Sequence, residues 1–332
     1  MPFTVRFNDQ NPAFIVEDQE TVLDAALRQN YDFPHSCCEG ICGTCSGQII
    51  EGHVWYSTPE HLDLNEEEQK KGIALFCSAF PQSDLLISVP GLIPPPSKPP
   101  VLLPYETIEL NLLSKDIYQV ILRPSEQGFD YLPGQYIEIH LPNQEAKAFS
   151  IAKAPSNNQT LELHIRGQEN NFYAQNLIQC LKTDQKINLS GPFGHCFYHN
   201  TPKQNSIMIA VGTGFAPLKA ILETALPVSS EPISLFWGGK SLDDFYQLEL
   251  LKKWKSDYPL FSFYCVLNQT KVPDGWHGEQ GDLLNCVIKN HPSLKNHHIY
   301  ISGAPELTYE ALSVFEKHDA EIAYIYSDAF DL

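Results

Sequence analysis

Four cysteines in this sequence have the spacing of a metal-cluster site. Cys37, Cys42 and Cys45 read C-x4-C-x2-C, and Cys77 follows in a distant segment. This spacing delivers three thiolates from one loop and a fourth from a separate segment, as a [2Fe–2S] cluster requires. Zinc is also held by four cysteines, but structural zinc sites usually pair two short cysteine hooks. The spacing therefore predicts a [2Fe–2S] cluster, with zinc as the alternative.

The residues between these cysteines suit a tight loop. Gly40, Gly43 and Gly47 let the backbone curl, and amides exposed by the curl are able to point at sulfur. The other cysteines have no ligand spacing, and we expect most of them to be buried apolar residues: Cys38, Cys180, Cys196, Cys265 and Cys286. A cluster in this loop makes the chain an electron carrier.

A second chemical motif is a glycine-rich segment that directly follows an apolar run. Residues 207–211 read Ile-Met-Ile-Ala-Val, then come Gly212, Thr213 and Gly214, with Pro217 shortly after. Glycines at the end of a strand let a ligand approach the backbone, and the helix behind them offers amides to a pyrophosphate. Pro217 suits the first turn of that helix. The segment predicts a nucleotide-binding loop, although an ordinary tight turn explains a lone Gly-x-Gly equally well.

Composition excludes several classes of partner. The chain has 332 residues, enough for two or three domains, and a formal charge of −18, which argues against nucleic-acid binding. No segment approaches the roughly 18 consecutive apolar residues of a membrane helix, and the N-terminus has no signal-peptide core. Nine cysteines without a small secreted architecture fit a reducing compartment. We therefore expect a cytoplasmic protein with no membrane partner.

The elements that position these motifs divide the chain into domains. Residues 94–100 read Pro-Pro-Pro-Ser-Lys-Pro-Pro, a stiff extended spacer. We expect a first domain over 1–90, a linker over 91–101, a second domain over 102–200 and a third over 201–332. Short strands with turns predict an antiparallel β-barrel in the second domain, with its first strand at 107–112. Strand–helix alternation predicts a doubly wound, parallel α/β sheet in the third, with helices at 216–226, 244–255 and 306–315.

The first domain has the pattern of a β-grasp fold. Two short strands precede a helix that we expect Thr21 to cap, with Asp24 at the third helical position. The cysteine loop and a strand at 47–52 follow, and a short acidic helix starts at Asn65. This α+β order and the four cysteines resemble plant-type ferredoxins over about the first quarter of the chain.

Further motifs, taken in order, resemble the ferredoxin–NADP reductase superfamily, in which a flavin-binding barrel precedes a nicotinamide-binding domain. They are Lys147-Ala148-Phe149-Ser150, Gly191-Pro192-Phe193-Gly194, the glycine-rich segment 212–217, Trp237-Gly238-Gly239 and Ser302-Gly303-Ala304-Pro305. With the ferredoxin-like domain in front, the whole chain resembles the NADH-dependent reductases of two-component systems. These include reductases of aromatic-ring, methane and phenol oxygenases and the CDP-6-deoxyglucoseen reductases, which the tail at 326–330 and the total length resemble most.

The resemblance implies roles for individual residues. Flavin contacts are expected from Lys147, Ala148, Phe149, Ser150, His164 and Ile165, with the Ser150 hydroxyl near flavin N5. Nicotinamide-nucleotide contacts are expected from Gly212, Thr213, Gly214, Pro217 and Gly303, with Ser302 as a second catalytic residue beside Ser150. Phe330 is expected to cover the flavin ring, with a hydrophobic C-terminal plug as the alternative.

Two departures from the superfamily pattern concern the flavin phosphates. Lys147 replaces an arginine, which keeps the charge but loses the bidentate fork. Residues 170–174 read Asn-Asn-Phe-Tyr-Ala where relatives have glycines and a hydroxyl. These departures leave FMN, or a loosely held flavin, open beside FAD.

Together, the motifs and the resemblance predict a reductase that passes electrons from NADH through FAD and a [2Fe–2S] cluster to a redox partner protein, either an oxygenase or a sugar dehydrase component. NADPH is the alternative donor, because no acidic residue ends the second strand of the third domain to mark NAD, and Lys240 is available for a 2′-phosphate. The alternative function is an electron-carrier protein with a degenerate reductase half. No motif encodes the terminal acceptor or the oligomeric state.

Overall fold

The computed structural model describes residues 2–7, 13–29, 31, 33–35, 37–41, 43–89, 92, 100–168, 171–183, 186–194, 196–199, 204–269 and 275–327. The chain divides into two compact units, Met1–Pro99 and Pro100–Leu332. No helix among the described residues is both long and apolar enough to cross a membrane.

The first unit has a mixed sheet with a helix against it, the predicted β-grasp arrangement. Its elements are β1 (Phe3–Phe7), β2 (Phe14–Val16), α1 (Val22–Arg28), β3 (Ser46–Glu51), β4 (Val54–Trp55), α2 (Glu66–Lys70), β5 (Ile73–Leu75), β6 (Phe80–Pro81) and β7 (Leu85–Ser88). The sheet order is β2-β1-β7-β3-β5, with β1 and β7 parallel, and β4 pairs with β6. The helix buries Val22, Leu23, Ala25 and Ala26, so its apolar stripe supplies one side of the core.

Thr21 caps α1 as predicted, but the expected capping box takes a different form. The Thr21 hydroxyl accepts from the Asp24 amide at 3.1 Å and donates to the Asp24 carboxylate at 2.7 Å. Asp is one methylene shorter than the usual Glu, so its carboxylate binds the cap hydroxyl instead of the cap amide. At α2 the full box forms, with Asn65 and Glu68 bonding each other's backbone amides.

The first half of the second unit is an antiparallel barrel. Its elements are β8 (Val101–Leu112), β9 (Ile117–Pro124), β10 (Tyr136–His140), β11 (Lys147–Ser150), β12 (Leu161–Arg166), α3 (Phe172–Leu181) and β13 (Ile187–Phe193). The strand order is β11-β10-β13-β8-β9-β12, and a bridge between Ile151 and Leu163 joins the two ends, which closes the barrel. β8 begins at Val101, six residues before the predicted start and inside the predicted linker, and Pro104 lies where β8 pairs with β13 but not yet with β9.

The second half of this unit is a parallel sheet with helices, here called the nucleotide half. Its elements are β14 (Asn205–Val211), α4 (Phe215–Ala225), β15 (Ile233–Gly239), α5 (Leu248–Asp257), β16 (Phe261–Leu267), β17 (Glu279–Gln280), α6 (Leu283–Asn290), β18 (His297–Ser302), α7 (Pro305–Phe315) and β19 (Ile325–Tyr326). The strand order is β17-β16-β15-β14-β18-β19. The predicted helix 244–255 starts too early: Asp244 ends a separate 3-10 turn, Leu242–Asp244, and the α-helix begins at Leu248.

Candidate functional site

Two of the predicted cluster cysteines, Cys45 and Cys77, are buried in the first unit. Cys45 is 2% exposed and Cys77 is 9% exposed. Their segments are tied together because the Phe76 amide donates to the Cys45 carbonyl at 3.1 Å. Cys37 is half-buried in the loop at 37–41. The fourth predicted ligand, Cys42, lies outside the described residues.

The backbone around these thiols fits an iron–sulfur cluster. The Glu39 amide points at Cys37 Sγ over 3.4 Å, and the Ser78 hydroxyl lies 3.5 Å from Cys77 Sγ. Gly40 has φ +75°, and a Cβ there would lie 2.4 Å from Leu62, so the loop needs glycine at this position. In the described part of the chain no three His, Cys, Asp or Glu side chains gather as around a single ion.

The predicted flavin motif lies on β11, at one end of the barrel sheet. Lys147 and Ala148 are exposed, whereas Phe149 and Ser150 are half-buried. The Phe149 ring stacks near Tyr173 of α3, with centroids 6.3 Å apart. The Tyr173 hydroxyl donates to the Ile139 carbonyl at 2.6 Å. This strand therefore offers a half-buried hydroxyl and aromatic ring beside an exposed cation, which fits the ring and phosphate of a flavin.

The start of α3 differs from a phosphate-binding helix end. The Asn171 side-chain oxygen accepts from the Ala174 amide at 3.0 Å and so caps the helix. Phe172 follows with 79% of its surface exposed. An amide that its own chain has satisfied is no longer open to a phosphate. The flavin ring site is thus better built than the phosphate site.

The predicted nucleotide loop is one 3-10 turn, Gly212–Gly214, between β14 and α4. Gly212 has φ +55°, and a Cβ on Gly214 would lie 2.3 Å from the Ser302 carbonyl oxygen. The structure therefore brings Gly214, at the end of the turn, against Ser302 and Gly303, because β18, which ends at Ser302, pairs with β14.

Of the remaining predicted site residues, three are buried and one lies outside the described residues. Pro217 lies in the first turn of α4 and is buried. His164 is 6% exposed and Ile165 is 1% exposed, so a cofactor on this strand can meet only their backbone. Phe330 lies outside the described residues, and its expected contact with the flavin stays a prediction.

Arg166 is a site residue that the sequence reasoning missed. It ends β12 in the barrel, yet its Nη2 lies 3.5 Å from where a Cβ on Gly212 would stand. The guanidinium also forms an ion pair with Asp244 of the nucleotide half. Arg166 therefore places a cation at the turn that we expect to hold a pyrophosphate. Its place two residues after His164, at the end of a strand, was the available signal.

No acidic residue ends the second parallel strand, β15, which finishes at Gly239, but Asp244 follows in the next turn. The carboxylate folds back onto the end of β15 and accepts from the amides of Lys240 at 2.7 Å and Ser241 at 3.0 Å. Burial acts to raise the pKa of Asp244, but the hydrogen bonds from Arg166 and the two amides outweigh it, and the pKa is lowered. This carboxylate is fully engaged by the protein, so it caps the turn.

Three protein-family matches cover the chain in order. Residues 5–82 match the 2Fe-2S iron-sulfur cluster binding domain, residues 106–198 the oxidoreductase FAD-binding domain, and residues 208–311 the oxidoreductase NAD-binding domain. The phenol hydroxylase P5 protein of Acinetobacter pittii (strain PHEA-2) is 32% identical over 94% of this chain and 90% of its own length. The chain belongs to the family of reductase components that combine a 2Fe-2S cluster binding domain with FAD-binding and NAD-binding oxidoreductase domains.

Two other relatives are similar over nearly their whole lengths. The CDP-6-deoxy-L-threo-D-glycero-4-hexulose-3-dehydrase reductase of Yersinia pestis is 28% identical over 99% of both chains. The crystal structure of the Amycolatopsis cytochrome P450 reductase GcoB superposes with a TM-score of 0.66, at 25% identity and over 98% of both chains.

These matches confirm the predicted fold, enzyme class and cofactors. The chain is an oxidoreductase with a [2Fe–2S] domain, an FAD-binding barrel and an NAD-binding parallel sheet, and it passes electrons from NAD(P)H through FAD and the cluster to a partner protein. The zinc alternative and the degenerate electron-carrier alternative are set aside. The individual ligand and contact residues stay predictions.

Proposed function

We propose that this chain is the reductase component that supplies electrons from NADH to an oxygenase or a sugar dehydrase component. The observation that carries the proposal is the approach of Arg166, at the end of barrel strand β12, to Gly212 of the nucleotide half. Flavin and nicotinamide must meet face to face for hydride transfer, which requires the barrel to contact the nucleotide half, and Arg166 makes such a contact beside the turn proposed to hold the pyrophosphate. The likeness to reductases named for phenol hydroxylase and for a hexulose dehydrase supports the choice of partner.

The chain's own residues then have distinct roles. The Gly212–Gly214 turn and Arg166 bind the dinucleotide pyrophosphate, through amides and a cation respectively. Lys147 faces a flavin phosphate, while Ser150 and Ser302 orient the flavin and the nicotinamide. When bound, FAD accepts hydride as an electron pair and the cluster carries single electrons onward. Cys37, Cys42, Cys45 and Cys77 hold the cluster.

The charge around the end of β15 favours NADH over NADPH. The 3-10 turn after this strand contains Asp243 and Asp244 and follows Lys240. A 2′-phosphate is recognised by a cluster of cations, but Asp244 is paired with Arg166 and Asp243 offsets Lys240, so this segment offers no such cluster. We therefore expect NADH to reduce the protein with a higher kcat/KM than NADPH.

A paired cysteine substitution tests the order of electron flow. In the full-length holoprotein, Cys45→Ser should remove the cluster absorbance and lower NADH-dependent reduction of cytochrome c at least about tenfold, because a serine replaces one of four required thiolates. Reduction of ferricyanide, which accepts from the flavin, should stay within about twofold. Cys38→Ser is the matched control, because Cys38 is exposed and falls outside the ligand spacing. Loss of ferricyanide reduction in a folded Cys45→Ser protein would show that the relay order is wrong.

The self-capped start of α3 supports a second proposal, that the flavin is held loosely. Asn171 occupies the Ala174 amide, and the segment lacks the glycines of its relatives. We expect desalting to remove much of the flavin, and added FAD or FMN to restore NADH oxidation. Chromatography of the extracted flavin would identify it, and full retention of FAD through repeated desalting would refute the loose site.

A further inference from the structure

A stripe of polar side chains on β12 contacts the nucleotide half. Glu162, His164 and Arg166 occupy alternate positions of the strand, so they project from the same face. Each bonds a residue of the nucleotide half, and the three pairs are Glu162–Lys219, His164–Tyr246 and Arg166–Asp244. We call these three β12 residues the β12 stripe.

Lys219 of α4 is the central cation of this contact. It is 5% exposed, and its Nζ donates to Glu162 at 3.1 Å, to Glu223 at 2.6 Å and to the Ala152 carbonyl at 2.8 Å. An ammonium group has three protons to donate, and each has an acceptor here. A buried charge is tolerated only when paired in this way. Lys219 therefore fixes α4, which begins directly behind the Gly212 turn, against β12.

The stripe also holds a histidine in a defined form. His164 lies 2.9 Å from Glu162 through Nε2 and 3.0 Å from the Tyr246 hydroxyl through Nδ1. A carboxylate only accepts, so Nε2 carries the proton and Nδ1 accepts from Tyr246. Burial lowers the pKa of His164, and the neutral ring links Tyr246, which donates to Nδ1, to the Glu162 carboxylate of the barrel, which accepts from Nε2.

Contacts continue from Tyr246 to the nucleotide turn. The Tyr246 ring meets Trp237 edge-on, with centroids 5.2 Å apart, and Trp237 stacks on Phe215 at 4.3 Å. Trp237 Nε1 donates to the Gly212 carbonyl at 3.0 Å. On the other side of β12, Leu163 pairs with Ile151, next to Ser150. One strand thus links the predicted flavin serine to the predicted nucleotide glycine.

We propose that Glu162, His164 and Lys219 are positioning residues for hydride transfer, because they set the Gly212 turn relative to Ser150. The proposal rests on the proposed function, since it assumes that NADH binds at this turn and flavin at this strand. None of the three side chains needs to touch a cofactor. They act on the distance and angle across which hydride moves.

Lys219→Met in the full-length holoprotein tests this, because it keeps the length of the side chain and removes its charge. In anaerobic stopped-flow experiments, we expect the limiting rate of flavin reduction by NADH to fall roughly tenfold to a hundredfold, the loss typical of a misplacement near 1 Å. The apparent Kd for NADH should change less than about threefold, because the turn and its amides remain. Lys219→Arg should recover most of the rate. Lys289→Met, which breaks an exposed ion pair with Glu279, is the matched control and should behave as the unchanged protein.

A second measurement does not depend on activity. In flavin-free protein, hydrogen exchange followed by mass spectrometry should show faster exchange at 212–215 in Lys219→Met than in Lys289→Met. Glu162→Gln is the second variant should Lys219→Met fail to fold, and it should give a smaller loss of rate in the same direction. Unchanged limiting rates and unchanged exchange at 212–215, in variants with a lowered melting temperature, would show that Lys219 and Glu162 only stabilise the fold.

The two levels of inference fail separately. If the unchanged holoprotein is not reduced by NADH at all, the proposed function is wrong, whereas the exchange comparison still tests the link from β12 to the Gly212 turn. If NADH reduces every variant at the unchanged rate, the function stands and the positioning role is refuted.

Discussion

Two buried histidines should make the stability of the second unit, Pro100–Leu332, decrease at acidic pH. His298 on β18 is 3% exposed, and its Nδ1 lies 3.1 Å from the Tyr326 hydroxyl, while Nε2 bonds the Gln204 side chain. His199 stacks on Tyr326 with centroids 4.4 Å apart, and its Nε2 has no hydrogen-bond partner among the described residues. A proton added to His199 Nε2 would meet no acceptor in this surrounding.

The expected loss follows from the pKa values. Burial lowers the pKa of His298 to about 4, and burial together with nearby His298 lowers the pKa of His199 to about 4. Between pH 6.5 and pH 4 the unfolded chain therefore binds more protons than the folded one, so the free energy of unfolding falls with falling pH. At about 1.4 kcal/mol per pH unit, each histidine removes about 3 kcal/mol over this interval. Above about pH 7.5 the two rings contribute little pH dependence, because both are then neutral in the folded and the unfolded chain.

His298→Gln is the informative variant, because a carboxamide keeps polar contacts and does not titrate. Urea unfolding followed by tryptophan fluorescence at several pH values should show a slope that is shallower by about 1.4 kcal/mol per pH unit between pH 6.5 and pH 4. His277→Gln, at an exposed histidine, should leave the slope unchanged. Parallel curves for His298→Gln and the unchanged protein would refute the reasoning.

Three further predictions concern single side chains. Gly214→Ala places a Cβ 2.3 Å from the Ser302 carbonyl oxygen, so the turn must shift and flavin reduction by NADH should slow by about tenfold or more; an unchanged rate would contradict a nucleotide site here. Arg166→Met should raise the KM for NADH at least about fivefold, in steady-state assays, because a cation at the pyrophosphate is lost; a change confined to kcat would point to another role. Thr21→Ala should lower the free energy of unfolding of the first unit by about 1 kcal/mol in urea titrations, and no change would mean that the cap hydrogen bond at 3.1 Å has no net value.

Local signals predicted much of the fold and the cofactors. The cysteine spacing, the glycines after β14 and the strand–helix alternation each depend on residues close together in sequence, so they were readable directly. Thr21 was predicted as a cap for the same reason. The helix α3 was missed although Ala174, Leu177, Ile178 and Leu181 have helical spacing and are buried, because residues 170–174 were interpreted as a lost phosphate loop.

Long-range pairing could not be predicted. Glu162 and Lys219 are 57 residues apart, and Arg166 and Asp244 are 78 apart. Nothing near either residue says which partner the fold will bring to it. The contact of Asp244 with the end of β15 could not be predicted either. Asp244 follows that strand by several residues, and only the 3-10 turn brings its carboxylate back to the strand end. The stripe on β12 was visible as alternating polar residues, but its meaning required the opposing half.

The polar pairs between the β12 stripe and the nucleotide half restrict which barrel can be joined to which nucleotide half in a hybrid reductase. A hybrid that joins this barrel to the nucleotide half of a relative would bury Glu162 without Lys219 unless the donor also supplied a lysine or arginine at that position. Engineers who wish to exchange nicotinamide preference by domain grafting should therefore transfer β12 and α4 as one block.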